Sequence, residues 1–161
     1  MSIEPRSLRQ TVGQFATGVT VVALAGDDAV HAMTANSFTS LSLEPPLVLF
    51  CAGKQTRVGQ LVQPGMGFCI SILTQLQRDL STYFAGAWKA PEPPPFTFEA
   101  WHGTPFLLGS AAALACEVWD IHEGGDHWIV VGRVAAVRRG DDGAVPLVFH
   151  AGRYVSLSTS D

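Results

Sequence analysis

The chain has 161 residues, 47% apolar and only 15% charged, with a formal charge of −4. Its ten basic residues are scattered, with Arg138-Arg139 the only adjacent pair, which excludes a nucleic-acid footprint; no apolar run approaches the ~18 residues of a membrane span. Three dispersed cysteines, Cys51, Cys69 and Cys116, form no C-x-x-C and read as small core residues of a cytoplasmic protein.

The length accommodates one domain, residues 1–161, with a sizeable core. The N-terminus lacks the apolar core of a signal peptide. So little charge on so apolar a chain implies that part of its surface is covered by another subunit.

Leu8, Val12 and Phe15 recur at helical spacing, and Pro5 suits a first turn, so Pro5–Phe15 reads as a short amphipathic helix. Val19–Ala25 and Val30–Thr34, joined by Gly26-Asp27-Asp28, read as a hairpin. The chain is then expected to leave the sheet until Pro45-Pro46. Leu47–Cys51 is a continuous apolar run, the pattern of a strand buried on both faces. Thr56–Val62 reads as a short helix closed by Pro64-Gly65, and Phe68–Leu73 as a strand. Thr74 and Gln77 have capping-box spacing before a helix whose apolar face is Leu76, Leu80, Tyr83 and Phe84. Pro91–Pro95 is an extended surface segment. Phe96–Trp101 is a short strand, and Gly103-Thr104-Pro105 a turn. Ala111–His122 and His127–Val137 form a second hairpin across Gly124-Gly125-Asp126, and Val145–His150 and Tyr154–Leu157 are the last strands. Seven or eight strands in consecutive hairpins, with two or three short helices, predict a closed or partly closed antiparallel barrel.

Within this pattern Ala32–Ser42 is small, uncharged and hydroxyl-rich, carrying Thr34, Asn36, Ser37, Thr39, Ser40 and Ser42. It is either a polar inter-strand loop or a cradle for a ligand with carbonyls, ring nitrogens and a phosphate. Gly53-Lys54-Gln55-Thr56 lacks the upstream glycine of a P-loop, yet sets a cation and a hydroxyl before a helix. There is no G-x-G-x-x-G and no G-x-S-x-G. His122, Glu123, Asp126 and His127 could hold a metal, but turns collect polar residues in any case, so no metal is expected; His127, opening a strand after Gly-Gly-Asp, is either a ligand-facing residue on a barrel rim or a surface histidine.

Three blocks in order, Phe15–Val22 (FATGVTVV), Met33–Val48 (MTANSFTSLSLEPPLV) and Gly125-Asp126-His127 with Val131–Val134, Pro146–Val148 and Gly152–Tyr154, closely resemble the short-chain flavin reductases, the reductase components of two-component flavin-dependent monooxygenases. The resemblance implies a mainly β fold, a split antiparallel β-barrel of the Greek-key, FMN-binding type. It implies an NAD(P)H:flavin oxidoreductase that takes FMN or FAD with NADH or NADPH and supplies a partner monooxygenase. It also implies a homodimer with flavin at the subunit interface. It places Met33, Thr34, Ala35, Asn36 and Ser37 along the flavin ring and Ser40, Leu41 and Ser42 by the ribityl chain and phosphate. Cys51, Ala52, Gly53, Lys54 and Thr56 complete the phosphate site, with Gln55 where the family often has serine. It associates His127 with the nicotinamide nucleotide, and Tyr154 lines the same mouth. A barrel that holds flavin tightly for another acceptor, a non-catalytic flavin-binding barrel and an interaction protein are the alternatives.

Overall fold

Glu4 begins the ordered helix: its carboxylate accepts from the backbone N–H groups of Arg6 and Ser7 at 3.0 and 2.9 Å, leaving Pro5 at a position that needs no donor. The computed structural model describes residues 3–157. Helix α1, Pro5–Val12, ends at Gly13, short of the predicted Phe15. The Gly13 N–H still reaches the Arg9 carbonyl at 2.9 Å, but the Gln14 and Phe15 N–H groups turn to Thr11 and Val12 three residues back, so the α-helix ends there and Phe15 stands 79% exposed.

Strands β1 (Thr17–Gly18), β2 (Thr20–Ala25), β3 (Val30–Ala35), β4 (Thr39–Leu43) and β5 (Pro46–Gly53) follow. The β2–β3 hairpin forms as expected. The departure from the sheet is shorter than predicted: only 36–38 leave, and Thr39–Leu43 returns as an edge strand on β5. The backbone edge of β5 would otherwise lack partners, and Thr and Ser tolerate extended geometry. Strand β5 is buried on one face, not both. Val48, Phe50 and Ala52 are buried, whereas Leu47, Leu49 and Cys51 are half-buried, so Cys51 is not a core residue.

Helix α2 (Arg57–Leu61) and strand β6 (Gly67–Ile72) precede a 3-10 turn, Gln75–Gln77, and helix α3 (Arg78–Phe84). The capping interaction is present: Gln77 Oε1 accepts from the Thr74 N–H at 3.1 Å. It closes the 3-10 turn and not the α-helix, which rotates Leu76 away from the predicted apolar face to 89% exposure. Pro94 is buried while Pro91, Pro93 and Pro95 are exposed. Strands β7 (Phe98–Trp101) and β8 (Thr104–Leu107) form a hairpin. The turn between them is His102-Gly103, both at positive φ, so Thr104 and Pro105 lie in a strand and not in the predicted turn.

The long hairpin of β9 (Ala112–Gly124) and β10 (His127–Arg139) comes next, then β11 (Val148–His150) and β12 (Arg153–Val155). Strand β11 is shorter than predicted because Pro146 has no N–H for a ladder; it makes an isolated bridge with Thr74 instead.

Seven strands form one antiparallel sheet in the order β3-β2-β6-β9-β10-β5-β4. The sheet is mainly β and curls without closing by backbone pairing, which is the split-barrel architecture. Inside lie Val22, Leu24, Phe50, Phe68, Ile70 and Val130, with Phe50 and Phe68 rings 5.3 Å apart. Outside, α3 covers β2 and β3 through Leu80 and Phe84, while the β7–β8 hairpin covers Cys69 and Ala113 with Phe106. No helix among the described residues is long and apolar enough to cross a membrane.

Gly132 lets the barrel fill. A Cβ there would lie directly against the Phe68 ring, which is itself packed on Phe50. Gly132→Ala is therefore expected to destabilise the fold by about 1–3 kcal/mol through overpacking, read from the urea midpoint.

Candidate functional site

The free edges of the open sheet are β3 and β4, and the segment joining them leaves a seam beside the end of β5, where Ser37 ties it down. Its Oγ accepts from the Cys51 N–H at 2.9 Å and lies 3.3 Å from the Cys51 carbonyl, to which it donates. A side chain thus continues the β4–β5 ladder where the backbone has left it. Thr20 donates to the Ala35 carbonyl at 2.7 Å, fixing the last residue of β3. Thr34 donates to the Ser81 carbonyl at 2.7 Å, and the Ser81 hydroxyl is 2.7 Å from the Tyr154 hydroxyl. Fully buried Ser81 thereby joins α3, β3 and β12.

These bonds leave Asn36 exposed at the mouth. It lines two cavities, one of 370 Å³ with Thr17 and Phe38, and one of 170 Å³ with Thr34, Ser81, Phe149 and Tyr154. The Oγ1 of Thr17 is buried without a hydrogen-bond partner.

Across the seam, residues 53–56 form a tight turn into α2. Thr56 is its N-cap: its hydroxyl donates to the Gly53 carbonyl at 2.7 Å and accepts from the Gly59 N–H at 3.0 Å. A Cβ on Gly59 would strike the Gly53 carbonyl, so the helix sits directly on the turn. A Cβ on Gly53 would fill a space bounded by Thr56 Cγ2 at 3.3 Å and His127 Nε2 at 3.6 Å. His127 lies opposite Gly53 in the β5–β10 ladder, and its Nδ1 is 2.7 Å from Asp126 Oδ1. That hydrogen bond holds the Asp126 carboxyl below its ordinary range. Lys54 Nζ is 2.7 Å from Glu123 Oε1 and 4.4 Å from the centre of the Trp128 ring. The Lys54 hydrogen bond lowers the Glu123 carboxyl in the same way.

The residues singled out in the sequence fall into three groups. Thr34, Asn36, Ser37, Cys51, Gly53, Lys54, Thr56 and His127 gather around the seam, with Met33 Sδ 3.8 Å from Thr56 Oγ1. Ala35 and Ala52 belong to this region but are buried, so they present backbone only. Tyr154 reaches it through Ser81. Ser40, Leu41 and Ser42 lie farther down the edge strand. Ser40 is opposite Val48, Ser42 is opposite Leu47, and the ladder slips at Leu41. Val48 is roughly 20 Å from Lys54 along an extended strand. His122 and His127 do not converge, since His122 pairs with Asp120 at 3.3 Å.

Sequence reasoning missed Thr17, Ser81 and the Lys54–Glu123 pair. Ser81 is 47 residues from Thr34 and Glu123 is 69 from Lys54, so no local spacing signals either contact. Ser37→Ala would leave both Cys51 backbone groups without their partner. It is expected to cost about 1–3 kcal/mol, measured by chemical unfolding.

The model of the flavin reductase like domain matches residues 12–158. The chain is 39% identical to the flavin-dependent monooxygenase reductase subunit HsaB of Mycobacterium tuberculosis, over 96% of this chain and 83% of that one. It is 43% identical to an NADH-dependent flavin reductase of a Rhodococcus species, over 96% and 88%. Its fold superposes with a TM-score of 0.84, at 34% identity, on the Streptomyces globisporus NADH:FAD oxidoreductase in complex with NAD and FAD fragments, covering 99% of this chain and 98% of that one.

Proposed function

The chain belongs to the flavin reductase like domain family, and on that premise we propose that it is an NADH-dependent flavin reductase, an oxidoreductase that delivers reduced flavin to a separate monooxygenase component. The observation that carries the reading to particular residues is the seam itself. An uncharged mouth of small residues carries an exposed amide and two cavities, and the Ser37–Cys51 contact ties it to the strand that ends two residues later at Gly53, beside His127.

The donor set fits a flavin with its phosphate. The orphaned Thr17 hydroxyl and the Asn36 amide can serve ring carbonyls and nitrogens. Lys54 supplies a cation to the phosphate end. Bound nicotinamide and flavin supply hydride transfer from C4 to N5 by their own chemistry. The chain's task is to orient and to exclude water. Thr34 and Ser37 do this indirectly, because their hydroxyls are committed to Ser81 and Cys51 and hold the mouth in shape. His127, held by Asp126 on Nδ1, offers Nε2 toward the cradle and serves the nicotinamide nucleotide. Ser40, Leu41 and Ser42, opposite Val48 and Leu47 and roughly 20 Å along the strand from Lys54, are too far from that turn to hold a ribityl chain whose phosphate lies on it, and this reading leaves them out of the flavin site. Tyr154 closes the mouth from the C-terminal side.

A homodimer completes this surface. Leu47, Leu49 and Cys51 form a half-buried outer face on β5, beside Leu41 at 49% and Leu43 at 92% exposure. Leu8, Val12 and Phe15 on the α1 side are also uncovered. A second copy of the chain laid on these residues would bury them and put flavin between subunits.

Purified protein mixed with NADH and FMN, FAD or riboflavin is expected to oxidise NADH at a rate that rises with added free flavin. No oxidation with any flavin refutes the reductase, and a yellow but inert protein identifies a non-catalytic binding barrel. His127→Ala is expected to raise the NADH KM roughly tenfold, the worth of a charge-assisted hydrogen bond, with little change in the flavin KM. Equal changes in both would remove His127 from the nicotinamide side.

A further inference from the structure

Lys54 is the only cation in the Gly53–Thr56 turn, and its charge is already engaged. Glu123 Oε1 sits 2.7 Å from its Nζ, and the Trp128 ring supports the ammonium from below at 4.4 Å. Strand pairing sets Glu123 opposite Trp128, so carboxylate, indole and ammonium meet beside the β9–β10 turn. The Lys54 backbone is anchored separately, by its N–H to the Asp126 carbonyl at 3.0 Å. Beyond the backbone N–H groups at the start of α2, the turn has little else for an anion. The Thr56 hydroxyl is consumed by capping α2, and Gln55 is neutral. Arg57, the next cation, lines a different cleft with Tyr83 and Phe96.

A phosphate group arriving at this turn therefore meets a lysine whose charge a neighbouring carboxylate already holds. We propose that Glu123 competes with the flavin phosphate for Lys54, so that it weakens binding of FMN and FAD and hastens release of the reduced flavin. The proposal rests on the reading of the Gly53–Thr56 turn as the phosphate site. The side chain of Glu123 is 76% exposed and that of Lys54 25%, so the pair is solvated and exchanges easily. A buried pair would instead lock the lysine. A reductase whose product must reach another protein gains from such an exchange, because release is often the slow step of turnover.

The test is fluorescence titration of the intact protein with FMN and with riboflavin, which lacks the phosphate. Glu123→Gln keeps the shape and removes the competing charge. It is expected to tighten FMN roughly two- to fivefold, the span of an exposed ion pair, to leave riboflavin unchanged, and to lose the effect as salt is raised. Unchanged or weaker FMN binding, or equal tightening of riboflavin, overturns the proposal; weaker binding would mean that Glu123 only positions Lys54. Lys54→Met separates the two levels of failure. If it leaves the FMN-to-riboflavin affinity ratio unaltered, the phosphate reading of the turn falls. If it lowers that ratio while Glu123→Gln does nothing, only the competition falls.

Discussion

One hydroxyl, on Ser37, carries the pairing of the edge strand past its last backbone bond and pins the mouth of the open barrel. The sheet has seven strands but no backbone ladder joins its two ends. At the seam the Ser37 side chain takes both polar groups of Cys51 and so stands in for a missing strand residue. The elements of the mouth lie around that contact: Asn36 just before it, Thr39 re-entering the sheet just after it, and the Gly53–Thr56 turn two residues beyond Cys51. A side-chain bridge suits a binding seam. It satisfies the strand edge, as burial requires, yet leaves the backbone of residues 36–38 outside the ladder and open to a ligand.

The opposite wall is built with the same economy. Thr56 caps α2 and ties back to Gly53, so one hydroxyl shapes both the helix start and the turn. Gly59 allows the helix to rest on the Gly53 carbonyl, and Gly53 leaves the space that His127 borders. The carboxylates of this wall are partnered: Asp126 by the His127 ring and Glu123 by Lys54. Both carboxyls are held below their ordinary range by their partners.

The apolar character of the chain finds its explanation in β5. Leu47–Cys51 looks like a strand covered on both faces, and within one chain only the even-numbered face is covered. On the dimer proposed above, the hydropathy of the run reflects a face meant for a second copy of the chain. The half-buried outer face, the exposed leucines of β4 and the bare side of α1 are the places where a second copy would supply it.

Much was legible in the sequence because its signals are local. Alternation and turn residues placed both long hairpins, the capping spacing of Thr74 and Gln77 located a helical turn, and the small hydroxyl-rich stretch marked the seam, since these depend on neighbours a few positions apart. What only the tertiary structure decided is where each hydroxyl and charge is spent. Thr34, Ser37 and Thr56 belong to the mouth by residue type, yet their hydroxyls serve Ser81, Cys51 and Gly53. Lys54 is a cation in the sequence, and its effective charge depends on Glu123, 69 residues away. A hydrogen bond or ion pair of that range is chosen by the way the sheet curls, and no spacing within the chain encodes it.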